Sequence, residues 1–141
     1  MMIARAWMFL ALLACPALAE TGGTVGAAKA KVDCSAAMSQ VEMTYCAELD
    51  WNAADGDLNT AYAKAMVLMK GIDTANPPDL QGAAAALRDA QRAWLPFRDK
   101  ACAAEGYLWH GGTGETMAIY TCRARLTRAR TDDLRVLAQE G

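Results

Sequence analysis

Apolar residues recur at helical spacing over three long stretches of the chain, and no stretch alternates apolar and polar residues with the period of a strand. The first stretch opens at Ser39-Gln40-Val41-Glu42, a capping-box pattern in which Ser and Glu satisfy each other's free backbone amides. Alanine-rich, proline-free sequence continues to Lys70, and Gly71 is expected to stop the helix. Asn76-Pro77-Pro78-Asp79 reads as a turn. Beyond it Leu80, Ala84, Leu87, Gln91, Trp94 and Arg98 fall on one face of a second helix, which Pro96 should kink or divide. The stretch from Gly106 to Gly114, which contains Trp109-His110-Gly111-Gly112-Thr113-Gly114, can form only a loop. A third helix is expected from about Glu115 to about Gln139, with Leu126, Leu134 and Leu137 inward. The pattern predicts an all-α fold, a small bundle of three main helices, and shows no internal repeat.

Polar residues interrupt these apolar faces. Asp55, Asn59, Tyr62 and Met66 follow one another at helical spacing, Gln91 and Arg98 break the stripe of Leu87 and Trp94, and Thr127 and Arg130 lie between Arg123 and Leu134. A charge on a buried face must be paired and hydrogen-bonded. Asp55 is therefore expected to meet Arg98 or Arg130, with Asn59, Gln91 and Thr127 completing a structural polar network. A ligand-binding site is the alternative use of the same residues.

The N-terminus has a different character. Met1 to Arg5 is a short basic start, Ala6 to Ala14 is an apolar run too short to span a bilayer, and Pro16 precedes the small-x-small site Ala17-Leu18-Ala19. This order predicts a signal peptide over residues 1–19, cleaved before Glu20. A competing reading takes Leu12-Leu13-Ala14-Cys15 as a lipoprotein box, which would anchor the protein through a lipid on Cys15. Residues 20–32 are small and Gly-rich, as suits a flexible tether ahead of a domain over 33–139. A periplasmic or secreted location follows, and no later stretch is apolar enough to be a transmembrane span. The chain holds 14 Lys and Arg against 16 Asp and Glu, so losing Arg5 with the signal takes the net charge from −2 to about −3. That balance argues against nucleic acid and permits a cationic protein partner.

Four of the five cysteines, Cys34, Cys46, Cys102 and Cys122, lie beyond the signal and are expected to be oxidised in such a compartment. Four cysteines allow three connectivities; the pairing adopted is Cys34 with Cys46 and Cys102 with Cys122. Were residues 34–46 one continuous helix, twelve rises of about 1.5 Å would hold the first pair roughly 18 Å apart, beyond bridging distance. The chain ahead of Ser39 must then fold back along the helix start. The second bridge would clamp the connection around the glycine loop. No Cys-x-x-Cys pair, haem motif or zinc pattern is present, so no metal or cofactor is expected.

Catalysis finds little to work with. The chain has a single histidine, only Ser35 and Ser39 as serines, and acids such as Glu42, Asp55 and Asp99 that serve more simply as caps or ion-pair partners. The glycines form no phosphate loop, because no Gly-Lys-Ser/Thr follows them. A protein that binds is expected, not an enzyme.

Gln40-Val41-Glu42-Met43-Thr44-Tyr45-Cys46, then Ala54-Asp55-Gly56-Asp57-Leu58-Asn59 with Tyr62, resemble the opening helix of the lysozyme inhibitor LprI N-terminal domain family. In order follow Gln91-Arg92-Ala93-Trp94, Phe97-Arg98-Asp99 with Cys102, Gly111-Gly112-Thr113 with Cys122, and Thr127-Arg128-Ala129-Arg130-Thr131 with Leu134. The resemblance covers about residues 33–137. Thr44 departs from the asparagine usual in the family. The resemblance implies a small helical exported bacterial protein with paired cysteines that binds a muramidase and blocks its cleft. Trp109, His110, Gly111, Gly112 and Thr113 are the candidate contacts: an aromatic anchor, a hydrogen-bond donor and glycines that permit close backbone approach. The alternative is a binding or structural module of the cell envelope without lysozyme specificity. An exposed apolar patch around the glycine loop would favour a protein partner, and a deep pocket of converging polar groups a small ligand.

Overall fold

Ser39 begins the first helix through the predicted capping box: its Oγ accepts from the Glu42 amide at 3.2 Å, and the Glu42 carboxylate accepts from the Ser39 amide at 3.0 Å. In the computed structural model, which describes residues 32–139, three helices follow: α1 (Gln40–Ala75), α2 (Ala83–Gly106) and α3 (Glu115–Gln139). Single 3₁₀ turns at Pro78–Leu80 and Tyr107–Trp109 lie between them. The signal peptide expected over 1–19, and all but the last residue of the tether expected over 20–32, lie outside the described residues. Among the described residues no helix is long and apolar enough to cross a membrane.

The buried positions explain the bundle. On α1 they are Ala54, Leu58, Ala61 and Ala65, and on α3, beyond the disulfide-bonded Cys122, they are Ala124, Thr127, Thr131 and Leu134. Both sets advance by alternating steps of three and four, the spacing that keeps one seam facing a neighbouring helix. Gln40 meets Met117, Asp50 meets Arg128, and Ala61 and Lys64 share a hollow with Arg135 and Ala138, so α1 and α3 run parallel. Alanines at three of the four α1 positions let these backbones approach, and the α1–α3 contact is the most extensive in the bundle. The helix between them, α2, runs antiparallel to both and presents Ala84, Leu87, Gln91, Arg98 and Cys102 inward.

Three expectations are corrected. Gly71 does not end α1, which continues to Ala75. A glycine inside a helix costs about 1 kcal/mol, and the extra turn carries Asp73 to the start of α2. There its carboxylate accepts from the amides of Gly82, Ala83 and Ala84 at 2.8, 2.8 and 3.1 Å, and Gly82 supplies the φ of +144° that the turn needs. Leu80 belongs to the 3₁₀ turn, not to α2, and is exposed. Of the kink or break expected at Pro96, the break does not occur, since α2 runs continuously through it. Pro96 and Arg92, whose carbonyl loses its donor, both lie on the solvent side, where water replaces the missing bond.

Candidate functional site

Two regions bring the polar and aromatic residues together. Across the middle of the bundle, Arg98 is buried, with its side chain 6% exposed. Its Nη1 donates to Asp55 at 2.9 Å and Thr127 at 3.3 Å, while its Nε donates to Asp99 at 3.0 Å. The guanidinium stands 5.4 Å from the Trp51 ring centre and 5.3 Å from that of Trp94. Arg123 covers Trp51 at 4.8 Å, and Tyr120 stacks on the same indole. Arg130 instead donates to Gln91 at 3.2 Å, so Asp55 takes Arg98 of its two candidate partners. Asn59 stands apart: it is exposed and makes no hydrogen bond to this network. Trp51 escaped the sequence reading, although it lies four residues before Asp55 and therefore over it on the same face.

Beside the network, Asp55, Asn59, Tyr62, Arg88, Gln91, Arg92 and Leu95 line an open groove of about 480 Å³ between α1 and α2. It is a furrow, and its innermost polar groups, Asp55 and Gln91, already have partners. Among the described residues no three His, Cys, Asp or Glu side chains converge as metal ligands would.

The second region is the connection between α2 and α3. The Cys102–Cys122 disulfide, with both residues buried, ties α2 about one turn before its end to α3 about two turns after its start. Gly106 seals the same junction, because a Cβ there would lie 2.6 Å from Ile119 Cγ1. What emerges beyond this clamp is apolar and exposed: Tyr107 by 66%, Leu108 by 81% and Trp109 by 61%. The turn then closes on itself. The Glu115 carboxylate accepts from the Gly111 amide at 3.1 Å and sits 3.2 Å from His110 Nδ1, which makes that nitrogen the protonated one. The same His110 contact, followed by the Gly111 amide, holds the Glu115 carboxyl below its usual range. Gly111 takes φ +76°, His110 stacks on Tyr107 at 4.7 Å, and the Gly112 amide donates to Trp109 O at 2.9 Å. Thr113 faces the first turns of α1 across a groove of about 450 Å³ lined also by Gln40, Val41, Thr44, Tyr45, Glu48 and Thr116.

Cys34 and Cys46 form the other disulfide, with Cα atoms 5.6 Å apart, because residues 34–38 fold back along the start of α1. Both bridges therefore brace the same end of the bundle. Residues 32–134 match the model of the family described as Lysozyme inhibitor LprI. The chain belongs to the LprI family. This LprI-family chain is also 39% identical over 111 residues to an uncharacterized protein of Rhizobium meliloti (strain 1021), covering 76% of this chain and 79% of that one. Its fold is similar to the crystal structure of a DUF1311 family protein from Pseudomonas putida KT2440, with a TM-score of 0.61, 23% identity, and coverage of 71% of this chain and 94% of that chain. The LprI match includes both disulfides, the polar network and the exposed turn. At the departure from the family pattern, Thr44 Oγ1 donates to Gln40 O at 2.8 Å and accepts from Gln40 Nε2 at 3.2 Å, steadying the side of the groove that faces Thr113.

Proposed function

We propose that this protein is exported, loses residues 1–19, and binds a cationic lysozyme, blocking its cleft with the turn that follows Gly106. The observation that carries this reading is the disulfide-clamped turn holding Tyr107, Leu108 and Trp109 in solvent, on a chain of the LprI family. Contiguous exposed aromatics on a rigid support are the usual anchors of protein interfaces. Rigidity matters because a turn already fixed by a disulfide, a carboxylate clamp and a tight glycine loses little freedom on binding.

A muramidase cleft places two carboxylates on either side of the scissile bond. In the proposed complex Trp109 fills the groove that sugar rings occupy, and Gly111 and Gly112 allow the backbone to come close. His110 lies beside them with Nδ1 committed to Glu115, so Nε2 accepts while the ring is neutral and donates when it is charged. The polar network around Arg98 serves as framework that keeps α2 and α3 in register beneath the turn. Two disulfides on a small domain support an oxidising compartment.

A turbidity assay on cell-wall substrate with the purified oxidised protein tests the reading. Micromolar inhibition of an animal-type or bacterial muramidase is expected, reduced at least tenfold by Trp109→Ala, a hot-spot-sized effect. No inhibition of either enzyme class at micromolar concentration rejects it.

A further inference from the structure

We propose that the end of the bundle bearing both disulfides is one continuous docking face for a cationic protein, in which the first turns of α1 and the Trp109 turn form a single acid-ringed apolar surface. This rests on the lysozyme-inhibitor reading and extends it from one inserted turn to a two-sided contact.

Three observations join the two sides. The groove between Val41 on α1 and Thr113 at the end of the turn is continuous with Trp109: the ring lies 3.7 Å from the position a Cβ would take on Gly114, and Gln40 lies 4.0 Å from that same position. Apolar side chains stand exposed on both sides, Met38 by 88% and Val41 by 81% around the start of α1, and Leu108 and Trp109 on the turn. Single exposed apolar groups such as Val67 and Phe97 are ordinary on a protein surface, but several gathered on two braced elements at one end have the pattern of an interaction surface. Each side has its own disulfide, with Cys34–Cys46 pinning the segment that carries Met38 and Cys102–Cys122 pinning the turn.

The charge pattern states what covers this face. Residues 32–48 and 107–120 contain Asp33, Glu42, Glu48 and Glu115 and not one Lys or Arg. The nearest cations on α3 are neutralised, Arg123 by Asp99 at 3.3 Å and Arg125 by Glu105 at 2.7 Å, and Lys100 lies six residues back from Gly106. Ser35 hydrogen bonds hold Asp33 below its usual range, the Ser39 amide and hydroxyl do the same for Glu42, and His110 and Gly111 for Glu115. These three carboxylates therefore hold their charge to lower pH than free ones would. Carboxylates around an apolar centre steer a cationic partner into contact and repel an acidic one. A second copy of this chain would bring the same four carboxylates against themselves, which disfavours it as the occupant.

Calorimetric titration of the oxidised full chain with an animal-type lysozyme, at low salt and again near 0.5 M, tests the proposal. Val41→Ser is expected to weaken binding about tenfold at both salts, by removing buried apolar area. Glu48→Gln is expected to weaken it about threefold at low salt and not at all at high salt, where the Debye length is only a few Å. Val41 is exposed and neither change touches the caps or disulfides, so unchanged thermal melts are expected for both variants. Wild-type binding that is lost in Trp109→Ala yet untouched in Val41→Ser and Glu48→Gln overturns the two-sided face and leaves the inserted turn standing. Loss in Val41→Ser with full binding in Trp109→Ala overturns both the two-sided face and the inserted turn, because contact would then run through α1 alone. No binding by the wild type rejects both.

Discussion

Removing Asp55 should loosen the bundle without touching the docking end. Arg98 is 6% exposed, whereas its two carboxylate partners Asp55 and Asp99 are 39% and 45% exposed. The cation is the group that cannot return to water. Taking one partner from a fully buried ion pair costs about 3–5 kcal/mol, but Arg98 keeps Asp99 and the Thr127 hydroxyl, and Asp55 already shares its charge with solvent. The loss for Asp55→Ala therefore falls to about 2 kcal/mol, the size of one hydrogen bond to a charged group. That corresponds to a Tm lower by roughly 8 °C for a domain of this length. Arg98→Met keeps an unbranched chain between Trp51 and Trp94 and leaves both acids free to hydrate, so it should cost no more than about 2 kcal/mol despite deleting a charge. Once Arg98 is gone, Asp55 has nothing left to hold. In the double variant the Asp55→Ala cost should nearly vanish, a coupling of about 1.5–2 kcal/mol. Urea denaturation of the four oxidised proteins, followed by circular dichroism, measures the cycle, and lysozyme titration follows binding in parallel. Additivity within about 0.5 kcal/mol would refute the argument, as would an Asp55→Ala protein of unchanged stability that no longer binds.

Other consequences are equally open to measurement. Closing loops of 12 and 20 residues, the two disulfides each contribute about 3 kcal/mol by chain entropy; because only Cys102 and Cys122 are both buried, Cys102→Ala/Cys122→Ala should lower the urea midpoint further than Cys34→Ala/Cys46→Ala, and equal losses would count against the burial argument. Gly106→Ala should cost about 1–3 kcal/mol through the clash with Ile119, and nothing in an Ile119→Ala background, where both clashing atoms are gone; the same cost in both backgrounds would show that the clash is not its cause. Asp73 has its carboxyl lowered by the amides of Gly82 and Ala84, so its contribution is fully present above the ordinary aspartate range and is lost as the pH falls through the lowered folded value. Asp73→Asn should therefore melt lower than wild type at pH 7 and converge with it in strong acid, and a constant gap across the titration would exclude linkage at this carboxylate.

The sequence by itself determined the elements and their caps: Ser39 and Glu42 lie three residues apart as a capping box must, Glu115 and Gln139 bound α3, and helical spacing alone put Leu87, Gln91, Trp94 and Arg98 on one face. Cys34 and Cys46 had to sit on non-helical and helical chain respectively for a bridge to reach between them, and they do. These are local properties, decided by a few neighbouring residues. What only the tertiary structure decided concerns how one helix is turned and shifted against another. Periodicity could not tell whether Asp55 would meet Arg98 or Arg130, since both lie on inward faces and an axial shift between helices separates the two outcomes. Asn59 shares a nominal face with Asp55, yet four residues overshoot a helical turn by about 40°, and with the seam running through Ala54 and Leu58 that step carries Asn59 out to solvent. Gly71 did not end α1 and Pro96 did not divide α2, because a local cost gives way when Asp73 caps the next helix or when the broken bond lies on the exposed side. The joining of the α1 start with the Trp109 turn into one face was likewise invisible along the chain: about sixty residues separate them, and only the parallel packing of α1 and α3 brings them to the same end.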